Sequence, residues 1–194
     1  MEEKIQCEAC GEGVHSYDVI NYGSIDHGYR QLCSRCFNAD VARLNGLEDF
    51  ENVRLEPIGI VGCDGETHQF HFQTRLLGNI VALDAFELQD GNPAGYEFQV
   101  IGDPEDDSFV LLTRMIEKIR RALSIKHVEN DGGGLQIVDQ TVRGRIESDA
   151  SKADRMPLIV VDGQEISWEE FGKMLMTFER WQFKLEIADL SDEL

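Results

Sequence analysis

Cys7, Cys10, Cys33 and Cys36 form two C-x-x-C pairs with 22 residues between them, and no other feature of the chain restricts its fold as tightly. A C-x-x-C turn points two thiols the same way. Two such turns close a tetrahedron around Zn²⁺, whose filled d-shell accepts that geometry without penalty. Soft thiolates favour zinc over magnesium or calcium. In a reducing compartment this spacing reads as metal rather than disulfide. A redox dithiol pair and an iron–sulfur cluster are the alternatives, but a thioredoxin-type motif would stand alone beside a βαβ unit. Four cysteines close the coordination shell, so the expected cofactor is one structural Zn²⁺. A module of roughly 40 residues has too little core to fold alone, and metal supplies the missing stability. His15 and His27 lie inside the loop as substitute ligands or second-shell donors; turn or surface roles are expected for both.

Gly11 and Gly13 follow the first pair, as a tight metal-binding turn requires. Residues 17–22 and 29–33 read as two strands joined around Gly23 to Gly28. From Phe37 to Gly46 the pattern is helical, with Phe37, Val41 and Leu44 on one face and Gly46 as the stop. This order of knuckle, hairpin and helix resembles a treble-clef zinc finger over residues 5–46. The resemblance implies the four ligands and nothing more. Treble clefs serve DNA binding, ubiquitin transfer, chaperone docking and ribosome assembly, so function does not follow from it.

Beyond residue 47 the signals are those of an antiparallel meander. Strands are expected at 58–61, 68–77, 80–88 and 96–101, separated by turns at Gly62–Gly65, Gly78-Asn79 and Asp90–Pro93. A helix over about 106–123 would cover the sheet with Phe109, Leu112, Ile116, Ile119 and Leu123. Strands at 125–128 and 135–142 flank Asn130–Gly134, which reads as a hairpin turn. It lacks the lysine and the following helix of a phosphate loop. Residues 147–157 are polar and small, as in a linker. A strand at 158–161 and the turn Asp162-Gly163 follow. The capping box Ser167–Glu170 opens a helix with Trp168, Phe171, Leu175 and Phe178 on one face. An alternating strand with Trp181, Phe183, Leu185 and Ile187 facing inward completes an expected β-α-β unit. The stretch from Ile166 to Gly172 and from Trp181 to Ile187 is similar to the tails of uncharacterised bacterial proteins, a resemblance that implies no activity. The fold class expected is α+β. Its units are a zinc-binding module at 1–46, a sheet with its helix at 47–146, and a linker with the β-α-β unit at 147–194, docked on the sheet.

The formal charge is −19, from 18 basic and 37 acidic side chains. That balance argues against generic nucleic-acid binding and against an anionic membrane surface. No run approaches the ~20 apolar residues that span a bilayer. The charged start, Met1 to Lys4, is not a secretory signal, so a cytoplasmic location is expected. One local cationic stripe stands out. Arg114, Lys118 and Arg121 share a helix face, where they pair with nearby carboxylates or dock an acidic partner or a phosphate.

No nucleophile elbow, zincin helix or nucleotide loop is present. His68 and His71 fall on opposite faces of one strand, and His127 stands alone. Cys63 has no basic neighbour in sequence to activate it. The reading that follows is a non-enzymatic, zinc-binding interaction or regulatory protein with a protein partner. The alternatives are a nucleic-acid-linked protein and an enzyme with a carboxylate-based site. The first of these would be an acidic mimic, or a binder using Arg30, Arg35 and Arg43. The tail aromatics fit either a core or a homodimer interface.

Overall fold

A computed structural model of the protein describes residues 4–26, 28–149 and 156–192. Its architecture is mixed, with mostly antiparallel sheets and three α-helices among those residues. At the N-terminus β1 (Ile5–Gln6) pairs with β2 (Gly13–Val14) across the first C-x-x-C turn. Gly11 in that turn has a φ of 74°, a conformation that residues with a Cβ resist. A 3-10 turn at Ser16–Asp18 leads into the hairpin of β3 (Val19–Ser24) and β4 (Gly28–Cys33). Helix α1 (Ser34–Asn45) begins directly after Cys33. It ends at left-handed Gly46, whose N–H bonds to the carbonyls of Ala42 and Arg43.

The central sheet is the expected four-stranded meander. It comprises β5 (Ile58–Val61), β6 (Thr67–Leu76), β7 (Val81–Gln89) and β8 (Asn92–Gly102) in that order. Asp90 and Gly91 both have positive φ, so a two-residue loop joins β7 to β8 with a twist that suits the strands.

Helix α2 (Ser108–Ala122) is capped by Asp107, whose carboxylate accepts the Phe109 N–H at 2.8 Å. The buried stripe of α2 is Leu111, Met115, Ile119 and then Leu123, while Phe109 is 65% exposed. This corrects the stripe expected from Phe109, Leu112 and Ile116. The helix carries two adjacent apolar rows, and periodicity alone cannot choose between them. The choice is made at Gly102. A Cβ there would lie 2.5 Å from Leu111 Cδ2, so the glycine leaves that side chain room to pack.

Helix α1 is rotated in the same way. Phe37, Asn38, Val41 and Ala42 are buried, and Leu44, expected inside, is exposed. The reason is a backbone requirement on β6. Strand β5 pairs with β6 only as far as Phe70, which leaves residues 71–76 without a strand on that side. Asn38 fills part of the gap. Its amide donates to the Thr74 carbonyl at 2.9 Å and accepts the Leu76 N–H at 2.8 Å. One apolar core therefore runs from Leu32, Phe37 and Val41 through Phe70 and Leu76 to Met115.

The C-terminal region has its own core around Val128, Ile159, Val161, Ile166 and Met174. A hairpin of β9 (Val128–Asn130) and β10 (Leu135–Ile137) turns through the glycine run and packs here. A three-stranded sheet follows, of β11 (Arg145–Ser148), β12 (Pro157–Val161) and β13 (Gln164–Ser167). The polar stretch expected as a linker lies between β11 and β12, and its residues 150–155 lie outside the described residues. Ser167 caps α3 (Trp168–Leu175) by accepting the Glu170 N–H at 3.2 Å.

The expected β-α-β unit does not form. Strand β12 is the middle strand of its sheet, hydrogen-bonded to β11 on one side and β13 on the other. It has no free edge to receive a strand returning from α3. Residues 181–189 join no sheet among the described residues, and Phe183 is 91% exposed. On α3 the buried side chain is Met174, whereas Trp168 and Leu175 stay exposed. The C-terminal sheet meets β8 through Arg145, which pairs with Glu97 at 3.3 Å. Gly163 leaves room for the Tyr96 ring, which a Cβ would meet at 3.0 Å.

Asn38 gives the first test. Asn38→Leu keeps the volume but strands two backbone groups of β6. Urea unfolding followed by circular dichroism should show a loss of about 2–3 kcal/mol. A loss below about 0.5 kcal/mol would mean that water replaces the amide and that α1 is not clamped.

Candidate metal centre

The four cysteine sulfurs come together although their elements are far apart in sequence. Cys7 and Cys10 stand on the turn between β1 and β2. There the Gly11 N–H bonds to the Cys7 carbonyl at 2.8 Å and the Cys7 N–H to the Glu12 carbonyl at 2.9 Å. Cys33 is the N-cap of α1 and Cys36 lies in its first turn. The turn is fixed to β4 twice. The Glu8 N–H donates to the Gln31 carbonyl at 2.9 Å, and the Glu8 carboxylate accepts the Gln31 N–H at 2.9 Å.

The Sγ atoms of Cys7, Cys10, Cys33 and Cys36 all lie within 4.8 Å of one another. The Cys10 to Cys33 separation is 4.0 Å. Tetrahedral zinc with bonds of about 2.3 Å requires sulfurs about 3.8 Å apart, whereas a disulfide requires about 2.05 Å. The arrangement fits a metal ion such as zinc, and the cysteines are free thiols.

Electrostatics points the same way. Burial raises the Cys7 pKa, but the backbone N–H groups of Cys10, Cys33 and Ala9 outweigh it and hold the thiol at about 6. The Cys33 N–H donates to Cys7 Sγ at 3.2 Å. Burial first, and then the charge of Cys7, push Cys33 up. Burial first, and then the neighbouring thiols, push Cys36 up. One thiol ionises readily and its neighbours resist. A cation among them removes that resistance, and the N-terminus of α1 adds its dipole.

The other residues singled out from sequence lie elsewhere. His15 stacks on Tyr17 at 5.3 Å and is outside the sulfur cluster, while His27 lies outside the described residues. The Arg114 guanidinium donates to the Ile101 carbonyl at 3.1 Å. Lys118 donates to the carbonyls of Gln99, Leu190 and Asp192 at 3.1, 2.7 and 2.8 Å. Arg121 lies in the last turn of α2. In the N-terminal module, Arg30 and Arg43 both pair with Asp40, at 3.1 and 3.2 Å. His127 bonds through Nδ1 to the Thr141 carbonyl at 3.0 Å, and His71 lies near Tyr17 and Phe86. Cys63 is exposed on the turn after β5. No helix among the described residues is long and apolar enough to cross a membrane.

Sequence reasoning missed one group. Asp64, Glu66 and His68 also bring donor atoms within 4.8 Å of one another. The comparison of His68 with His71 looked along the strand in one direction only. The D-x-E-x-H spacing entering β6 was the available signal, because side chains two apart share a face.

Replacing Cys36 by serine should release the tightly held ion, detectable by native mass spectrometry. It should also abolish hydrogen-exchange protection of β3, β4 and the first turns of α1, a loss of several kcal/mol. A Cys36→Ser protein that keeps the ion in full amount would contradict four-sulfur ligation.

Family comparisons divide the chain into three consecutive matches. The domain of unknown function DUF7685 matches residues 6–48, the domain of unknown function DUF7686 matches residues 51–124, and the domain of unknown function DUF7713 matches residues 125–192. No curated protein matches the chain, and no solved structure does.

Proposed function

We propose that this chain is a non-enzymatic, zinc-stabilised interaction protein that captures a protein partner along its C-terminal tail. In this reading residues 5–46 are a treble clef holding one structural Zn²⁺ in a reducing cytoplasm. A shell closed by four thiolates leaves no position for substrate, so the metal shapes the module and does no chemistry.

The observation that carries the reading is the tail. Trp181, Phe183, Leu185 and Ile187 alternate with Gln182, Lys184 and Glu186, and all four apolar side chains are exposed. The alternation is that of a strand with one face to bury. Among the described residues, 182–188 form no backbone hydrogen bond with another strand. Both ends of the segment are held. Phe178 and Trp181 meet edge to face at 5.5 Å, and Lys118 grips the Leu190 and Asp192 carbonyls. An extended segment fixed at both ends loses little entropy when a second strand pairs with it. The partner is therefore a protein with an open sheet edge and apolar pockets at alternate positions. The nucleic-acid alternative draws less support, since Arg30 and Arg43 share Asp40 rather than forming a cationic cluster.

Phe183→Asp should leave the melting temperature within about 2 °C of wild type, because the side chain is exposed. It should reduce capture of the partner at least tenfold in quantitative pull-downs with tagged full-length protein. If the partner is a second copy of the chain, light scattering should report a dimer that Phe183→Asp turns into a monomer. Slow amide exchange over 182–188 in the isolated wild-type monomer would show the tail already packed and refute the proposal.

A further inference from the structure

We propose that Asp64, Glu66 and His68 form a second metal centre, separate from the four cysteines and open to solvent, for a divalent first-row transition-metal ion. The three residues enter from the turn between β5 and β6. That turn closes with the Gly65 N–H on the Gly62 carbonyl at 3.0 Å and the Gly62 N–H on the Glu66 carbonyl at 2.9 Å. The Asp64 Oδ1 accepts the Glu66 N–H at 3.0 Å, which turns the aspartate back over the start of β6. The donor atoms of all three residues then lie within 4.8 Å of one another.

His68 is set up as a ligand. Its side chain is 12% exposed, and its Nδ1 is 2.9 Å from Glu87 Oε1. The other Glu87 oxygen accepts the Tyr96 N–H at 3.0 Å, so the carboxylate cannot swing away. An ionised carboxylate only accepts, so the proton of this hydrogen bond belongs to Nδ1. In the neutral imidazole that leaves Nε2 as the acceptor, with a bare lone pair. It is buried and has no hydrogen-bond partner. A carboxylate on one imidazole nitrogen with a lone pair on the other is the arrangement by which metal-binding histidines are oriented. A buried acceptor left unpaired is costly, and a cation removes that cost.

Gly62 provides a second, independent observation. Its φ is not positive, so the backbone does not call for glycine there. Space does. A Cβ on Gly62 would stand 2.9 Å from Asp64 Oδ1 and 3.3 Å from His68 Nε2. A methyl group would crowd both donors at once. Charge agrees. Three carboxylates, Asp64, Glu66 and Glu87, gather around His68, and the Lys126 ammonium holds the other Asp64 oxygen at 2.8 Å. One nitrogen and two carboxylates suit zinc, iron or manganese, and three protein donors leave positions for water.

The test uses full-length protein whose four-cysteine ion has been counted by native mass spectrometry. Zn²⁺ is titrated in by calorimetry. Zinc binds a nitrogen–oxygen site more tightly than manganese or iron does, so a site that refuses zinc refuses them as well. One further zinc per chain is expected. His68→Gln and Asp64→Asn should each weaken it at least tenfold and leave the first ion in place. Glu87→Gln, which removes only the orienting charge, should weaken it about 10–100-fold. If either ligand variant loses its circular dichroism spectrum, Glu66→Gln, at an exposed position, replaces it. In nitrogen NMR of wild type, zinc should shift His68 Nε2 and leave the Nδ1 proton in place. The proposal is overturned if no further zinc binds, if a second zinc persists through the ligand substitutions, or if Nε2 carries its own proton and does not respond to zinc.

Discussion

The described residues N-terminal to the central sheet depend on how the first turns of α1 are held. Its first turn carries Cys36 and its cap is Cys33, so the helix begins at the sulfur cluster. Two residues after Cys36, Asn38 leaves the solvent entirely, 1% exposed, and bonds to the backbone of β6. These are neighbouring constraints on a rigid rod. The sulfur cluster, which fits a metal ion such as zinc, fixes where α1 starts, and Asn38 fixes how it is rolled against the sheet. An amide is the right group for this position, since it offers one donor and one acceptor to a strand edge that lacks both partners. A leucine would satisfy the apolar core and leave the strand unsatisfied. The same helix thus serves the metal centre and the sheet, and Phe37 and Val41 share one core with Phe70 and Leu76.

An acidic chain must place its few cations with care, and several of them join separate parts of the fold. Arg145 reaches from β11 to Glu97 on β8. Burial raises the Glu97 pKa and Arg145 opposes that rise, which marks a pair withdrawn from solvent rather than a surface ornament. Lys126 joins the segment before β9 to Asp64 on the β5–β6 turn. Arg75 and Asp84, at 2.7 Å, link β6 to β7. Lys118 holds the tail by two carbonyls. Exposed pairs such as Lys173 with Glu169 do little by comparison. Most other carboxylates among the described residues are at least partly exposed, and Asp162 is a buried exception that accepts the His127 and Val128 N–H groups.

The sequence was legible where one residue type answers one physical demand. Two C-x-x-C pairs point to a four-sulfur cluster because that spacing sets four thiols on two facing turns. Asp90-Gly91 and Asp162-Gly163 mark hairpins because their positive φ is costly for most other residues. The meander β5 to β8 followed from alternation between such turns. It was not legible where two answers share one pattern. Leu111 and Leu112 are equally apolar, and only the contact with Gly102 selects the first. Asn38 reads as an ordinary polar residue of a helix until the unpaired edge of β6 is known. His68 looked like a lone histidine because Glu87, which orients it, is 19 residues away.

The tail is the sharpest case, because its alternation is plain in the sequence while the strand expected from it joins no sheet among the described residues. Residues 181–187 alternate as a strand does, and the sequence therefore called for a sheet within the chain. Strand β12, before α3, already has a neighbour on each side, and residues 181–187 pair with no other strand among the described residues. Such a segment would be an aggregation hazard if it hung free. Two features limit that hazard. Lys184 and Glu186 pair at 2.9 Å on the opposite face, which puts charge beside every apolar contact a stray strand could make. Lys118 also fixes the far end, so the segment is presented in one place rather than sweeping through solvent. A strand that is patterned, unpaired, tethered and flanked by charge is protected from indiscriminate pairing but not from a matching edge. That combination is what a specific docking element requires.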